Sequence, residues 1–189
     1  MRADNEKVKK NKPVTEAYLE RAALHYLGRF SSTHANLMKV LERKVRRRNE
    51  ENTAPSAEQQ EWMRAVADKC VGYGYVDDMV YARQRLASLL RKGKPLRTIA
   101  QDLRYKGVPS DVADTVLAEI QNGTEQDLNL SAAAAYVKRR RFGPFRRSDK
   151  QGDKKVEKEK AAMMRAGFAY SIVMQVLNAT EEELVNLLP

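Results

Sequence analysis

The chain has 189 residues, with 35 Lys plus Arg against 25 Asp plus Glu, a formal net charge of +10 and a pI near 9.7. That length allows one or two domains with a real core, a hydrophobic share of 42% argues against wholesale disorder, and the lack of any apolar run of about 18 residues excludes a transmembrane helix. The single cysteine, Cys70, excludes an intrachain disulfide and a cysteine-based zinc site, and the polar start MRADNEKVKKNK lacks the apolar stretch of a secretory signal, so a soluble cytoplasmic protein is expected.

Residues 1–13 read as a flexible polar tail, with Pro13 and Thr15 opening a helical pattern. Leu19, Ala23 and Leu27 lie four apart on one helical face, and the helix ends near Gly28. Ser31 or Ser32 can cap a second helix carrying Leu37, Leu41 and Val45. Residues 47–58, with Asn49, Asn52 and Pro55, read as a loop. Ser56 begins a third helix with Trp62, Val66 and Cys70 on one face, Trp62 being its core anchor.

The turn Gly72–Tyr73–Gly74–Tyr75 leads to Asp77, a good N-cap, and then to Met79, Ala82, Leu86 and Leu89 at spacings of 3, 4 and 3. Gly93 and Pro95 punctuate before Leu96, Ile99 and Leu103. Gly107 is placed where a helix ends in a left-handed conformation. Pro109 and Ser110 start a helix with Val112, Val116 and Ile120, ended by Asn122 and Gly123. Leu130, Ala133 and Val137 follow, then a loop over 143–153. Val156 and Met163 share a helix that Gly167 ends, and Ile172, Val176 and Leu177 belong to the next. Thr180 followed by Glu181, Glu182 and Glu183 reads as a capped helix start. No segment alternates with period two, so the chain is all-α.

The charge is not spread evenly. Arg43, Lys44, Arg46, Arg47 and Arg48 form one cluster, and Lys138, Arg139, Arg140, Arg141, Arg146 and Arg147 form another. Setting those eleven aside leaves 24 bases against 25 acids, so the rest of the chain is near neutral. Two concentrated patches suit a polyanion-binding surface, although basic residues also favour helix C-termini for their own sake.

An internal repeat organises the whole. At an offset of 60, Gly107 matches Gly167, Val108 matches Phe168, Val112 matches Ile172, Val116 matches Val176 and Leu103 matches Met163. At an offset of 62, Leu24 falls on Leu86, Leu27 on Leu89, Leu37 on Ile99 and Leu41 on Leu103. The expected architecture is three tandem three-helix repeats, 14–74, 75–123 and 124–189, in an elongated, curved array. Each basic cluster adjoins one of the two irregular loops, and loops on a repeat scaffold often carry function.

No phosphate-cradling glycine motif is present, and Gly72 and Gly74 read as turn glycines. His25 and His34 show no metal-ligand spacing. Asp77 and Asp78 stand before an apolar helical run and read as N-cap and first-turn acids rather than paired catalytic carboxylates. Cys70 reads as a core thiol. No catalytic group, metal site or cofactor site emerges.

The segments AYLERAALHYLGRFSS (17–32), GYGYVDDMVYARQRL (72–86), LRYKGVPSDVADTVL (103–117) and MMRAGFAYSIVMQVL (163–177) together resemble the RecX family. The likeness covers nearly all of the chain after the tail and departs from the commoner pattern in the longer loop at 47–58. It implies a monomeric, non-enzymatic regulator of the RecA recombinase that lies along the groove of the RecA–single-stranded-DNA filament and restrains recombinase, ATPase and coprotease activities. The eleven clustered bases are then the candidate contacts with RecA or DNA. The alternative is a general DNA-binding protein that uses the same clusters without RecA, with Tyr136, Phe142 and Phe145 stacking on exposed bases, although Tyr136 and Phe142 fit internal packing equally well.

Overall fold

A computed structural model describes residues 12–119, 125–147 and 153–188. The tail through residue 11, the helix end predicted at Ile120, Asn122 and Gly123, and loop residues 148–152 lie outside the described residues. Ten α-helices and no strand occur among the described residues. They divide into two compact units, one ending at Asp78 and the other beginning at Met79.

In the first unit α1 (Glu16–Leu27), α2 (His34–Arg46) and α3 (Ala57–Gly72) all pack against one another. Leu19, Ala23, Leu37, Leu41 and Val45 are fully buried, as their spacing of four requires. On α3 the buried face is Met63, Val66, Ala67 and Cys70, with Trp62 half-buried at its edge. The expectation of a Trp62 anchor therefore shifts by one position to the slimmer Met63. Burial pushes the Cys70 thiol pKa up, which keeps it neutral and inert.

Side-chain caps start each of these helices. Thr15 accepts from the Tyr18 N–H, and Ser56 and Gln59 form a reciprocal capping box. The α2 cap is Thr33, which accepts from the Asn36 N–H at 3.1 Å, rather than Ser31 or Ser32. Ser32 is buried instead, taking a hydrogen bond from the Asn36 side chain at 2.8 Å. The next orphan donor of α2, the His34 N–H, goes to Asp78 at 2.8 Å. One of the paired aspartates thus closes the start of another helix. Loop 47–58 contains a short 3₁₀ turn, Glu50–Asn52, and is pinned where the Asn49 and Gln59 amides bond each other both ways at 3.0 Å.

The second unit holds α4 (Asp78–Arg91), α5 (Leu96–Tyr105), α6 (Ser110–Glu119), α7 (Glu125–Arg140), α8 (Asp153–Ala166), α9 (Tyr170–Asn178) and a short α10 (Glu181–Asn186). Arg85 makes a bidentate pair with Asp102 at 2.7 and 2.9 Å, joining α4 to α5, and Arg83 makes another with Glu119 at 2.8 and 2.6 Å, joining α4 to α6. Helix α7 is enclosed on most sides from Ala132 to Val137. Its alanines let neighbours approach closely. A Cβ on Gly93 would lie 2.5 Å from the Tyr136 backbone nitrogen, so only glycine fits between the α4–α5 turn and α7.

One helix-ending motif recurs. After α5, Gly107 takes φ +79°, its N–H bonds Arg104 O, and the Val108 N–H reaches back to Leu103 O. After α8, Gly167, Met164, Phe168 and Met163 do the same. The pattern also closes α3 at Gly74 and α4 at Gly93. Val108 and Phe168 are both buried, which explains the matched glycine–hydrophobic pair at an offset of 60.

Candidate polyanion interface

The second basic cluster is placed by α7. Its buried body brings the C-terminal turn out of the core, and Lys138, Arg139 and Arg140 emerge there, complementing the negative end of the helix dipole. Both Arg139 and Arg140 hold their guanidinium carbons 5.8 Å from the centre of the Tyr136 ring. The helix then ends by the motif just described, with the Phe142 N–H on Val137 O and the Arg141 N–H on Lys138 O. Here the left-handed position is filled by Arg141, at φ +57°, where four other helices use glycine.

Past Arg141 the chain makes a 3₁₀ turn, Gly143–Phe145, and is fastened to α8 by one carboxylate. Glu159 accepts from the Gly143 N–H at 3.0 Å and from Arg146 at 2.9 and 2.6 Å. The Glu159 side chain is 8% exposed and that of Arg146 17%. The hydrogen bond Arg146 donates to Glu159 raises the Arg146 pKa against the opposing pull of burial, so the guanidinium stays charged. Arg146 is therefore a fastener of the loop.

The result is an open basin of about 360 Å³. Arg140, Arg141 and Arg147 come from the basic run, while Lys155 and Lys158 come from α8. Among the described residues the only acid lining it is Glu159, already engaged by Arg146. The two lysines were not legible in the charge pattern, because they sit in a mixed stretch, Lys154–Lys155–Val156–Glu157–Lys158–Glu159–Lys160, whose net charge is small. Lys138 and Arg139 are exposed on the same helix end but do not line the basin.

The first cluster lies in the other unit and is divided in its contacts. Arg43, Lys44 and Arg46 occupy the last turn of α2. Arg46 pairs with Glu42 one turn earlier at 2.9 Å. Arg48 lies 3.4 Å over the Tyr18 ring and donates to Pro13 O at 3.3 Å, tying the start of α1 to the end of α2. Arg47 is exposed just beyond α2. Lys44 lines a cleft against α1.

Of the aromatics near the second cluster, Tyr136 is buried and Phe142 and Phe145 are half-buried against the same core. Tyr136 packs edge-on to Phe142 and Phe168, at 6.1 and 5.5 Å between ring centres. The packing reading of Tyr136 and Phe142 holds, Phe145 packs on the same core, and a stacking role for Tyr136 is overturned because the ring is buried. His34 bonds Asp68 at 3.1 Å. Among the described residues no group of three or more His, Cys, Asp or Glu is arranged to hold a metal ion, and no helix is long and apolar enough to cross a membrane.

The fold and this surface define a helical-repeat protein that carries a cationic basin. The chain belongs to the RecX family of regulatory proteins. It is 34% identical over 171 residues to the regulatory protein RecX of Myxococcus xanthus, covering 90% of each chain, and 30% identical over 176 residues to that of Agrobacterium fabrum, covering 91% of this chain and 88% of that one. The description of the second three-helix domain of RecX matches residues 77–117. The crystal structure of RecX from Lactobacillus salivarius shares the fold at a TM-score of 0.57 and 19% identity, covering 90% of this chain and 97% of that chain. A second RecX crystal structure does so at 0.61 and 20%, covering 87% and 73%.

Proposed function

We propose that this chain is a non-enzymatic negative regulator of RecA. It binds in the groove of the RecA–single-stranded-DNA filament and restrains recombinase, ATPase and coprotease activities. Family membership supports the regulatory part. The observation that carries the electrostatic part is the basin, where Arg140, Arg141 and Arg147 stand beside Lys155 and Lys158, and where the one carboxylate among the described residues is already paired. Cations converging from two helices suit closely spaced phosphates, and each neutralised phosphate releases counterions. In this reading the repeats span 14–74, 75–123 and 124–189. The first and third make the charged contacts and the second contributes shape. The protein acts as a cytoplasmic monomer without a cofactor.

Co-sedimentation with RecA–single-stranded-DNA filaments, beside naked DNA at matched salt, tests the partner. Preference for the filament is expected. Equal affinity for naked DNA favours a general DNA-binding protein, whose affinity should then fall by about 10³–10⁵ between 50 and 200 mM salt if about six to ten phosphates are contacted. Reversing Arg139, Arg140 and Arg141 to Glu should weaken inhibition of RecA-dependent strand exchange. Full inhibition by that folded variant removes the patch from the mechanism.

A further inference from the structure

The first unit carries a second cleft, of about 420 Å³, between α1 and α2. Its wall has both aromatic faces and cations. Tyr26 and Phe30 stand 5.2 Å apart with their rings tilted by 34°, and Phe30 is 51% exposed. Arg29 sits 5.7 Å over the Phe30 ring, and Arg21 and Lys44 also line the cleft. No acid does. The Tyr26 hydroxyl takes a hydrogen bond from Asn36 at 3.0 Å, which holds that ring against α2 and leaves Phe30 as the outer one.

We propose that this cleft is a single-stranded nucleic-acid subsite that takes one unstacked base against Phe30, with the flanking phosphates on Arg21, Arg29 and Lys44. Phe30 keeps half of its surface exposed even with Tyr26 beside it and Arg29 over it, so it offers a flat apolar surface within a cationic wall. A base supplies a matching face, and its backbone supplies the charge the cations need. In duplex DNA the base faces are covered by their neighbours, so a duplex satisfies the cations and not the ring. An acidic peptide has the same shortfall. The inference rests on the filament reading above, in which single-stranded DNA is present, but assigns a contact to the opposite end of the chain from the basin cluster.

The test uses the full chain, a labelled oligothymidylate and an abasic deoxyribose-phosphate oligomer of equal length, followed by fluorescence anisotropy. Phe30→Ala should weaken oligothymidylate binding by about 5- to 150-fold with an unchanged salt slope, and Phe30→Tyr should restore it. Wild type and Phe30→Ala should bind the abasic oligomer alike. Equal wild-type affinity for the two oligomers, or no loss in Phe30→Ala, overturns the subsite. So does a poly-glutamate peptide whose affinity falls with Phe30→Ala by the same factor, because that puts an acidic protein segment in the cleft. Wild type that sediments with RecA filaments yet ignores the oligothymidylate overturns this inference and spares the filament reading. Phe30-dependent oligothymidylate binding without filament sedimentation does the reverse.

Discussion

Replacing Arg141 with glycine should stabilise the chain while weakening its hold on phosphate. Arg141 fills the left-handed position that ends α7, at φ +57°. The equivalent positions after α3, α4, α5 and α8 are Gly74, Gly93, Gly107 and Gly167. A residue with a Cβ is disfavoured there by about 1–2 kcal/mol. Glycine returns part of that through the greater freedom of the unfolded chain, about 0.5–1 kcal/mol. The Arg141 side chain is exposed, so its removal exposes no core. The net gain is about 0.5–1 kcal/mol. At a slope of about 2 kcal/mol/M this raises the urea midpoint by about 0.3–0.5 M, read by circular dichroism. Binding moves the other way. One cation fewer in the basin should lower the salt slope of nucleic-acid or filament binding by about 0.7–0.9. A lower midpoint would refute the strain argument. A raised midpoint with an unchanged salt slope would refute the reason offered for keeping arginine in a glycine's place, which is that the strain is tolerated for binding.

Gly93→Ala should cost at least about 3 kcal/mol or abolish folding of the second unit, because its Cβ would meet the α7 backbone at 2.5–2.8 Å. Gly74→Ala should cost only about 1 kcal/mol, since it shares the positive φ but meets nothing within 4 Å; equal losses in thermal melts would contradict the close approach. Arg85 holds the Asp102 carboxyl below its ordinary pKa, chiefly by their hydrogen bond, so the folded state binds fewer protons than the unfolded one and stability falls as pH drops through and below the usual aspartate range. Asp102→Asn should flatten that part of the acid-unfolding curve, and an unaltered slope would show that the pair contributes nothing there.

Much of the fold could be read from the chain because helical burial writes itself at spacings of three and four. Leu37, Leu41 and Val45 proved fully buried, as did Ile99 and Leu103. The matched Gly107–Val108 and Gly167–Phe168 pairs were legible because one backbone motif demands both a left-handed residue and a hydrophobic one after it. Other features depended on three-dimensional neighbours. Gly93 read as punctuation, whereas its constraint comes from Tyr136, forty-three residues on. Asp78 read as a first-turn acid of its own helix, but its carboxylate serves α2. The cap of α2 fell on Thr33, which takes the Asn36 N–H, while the Ser32 hydroxyl takes the Asn36 side chain. Half of the candidate interface was visible as an arginine run. The rest was not, since Lys155 and Lys158 alternate with acids along α8 and separate from them only when the helix face is known.

If the proposed interface is the basin rather than the run, its charges should be probed differently. Arg146 belongs to the basic run, yet it is tied to a buried carboxylate that also holds the Gly143 N–H. Glu159→Gln would leave that guanidinium poorly paired and should cost about 1.5–3 kcal/mol. Reversing Arg146 would place two carboxylates face to face. Either change disturbs the loop that sets Arg141 and Arg147 against α8, so lost binding in such variants says little about phosphate contact. Lys155 and Lys158 are exposed and lie outside the run. Their joint reversal to Glu should alter the urea midpoint by less than about 0.3 M. It should nonetheless weaken filament binding about as much as reversing Arg140 and Arg141, because both pairs face the same space. Normal filament binding by the folded lysine double variant, with a clear loss in the arginine pair, would show that the run acts as a linear patch and that the basin is not the contact.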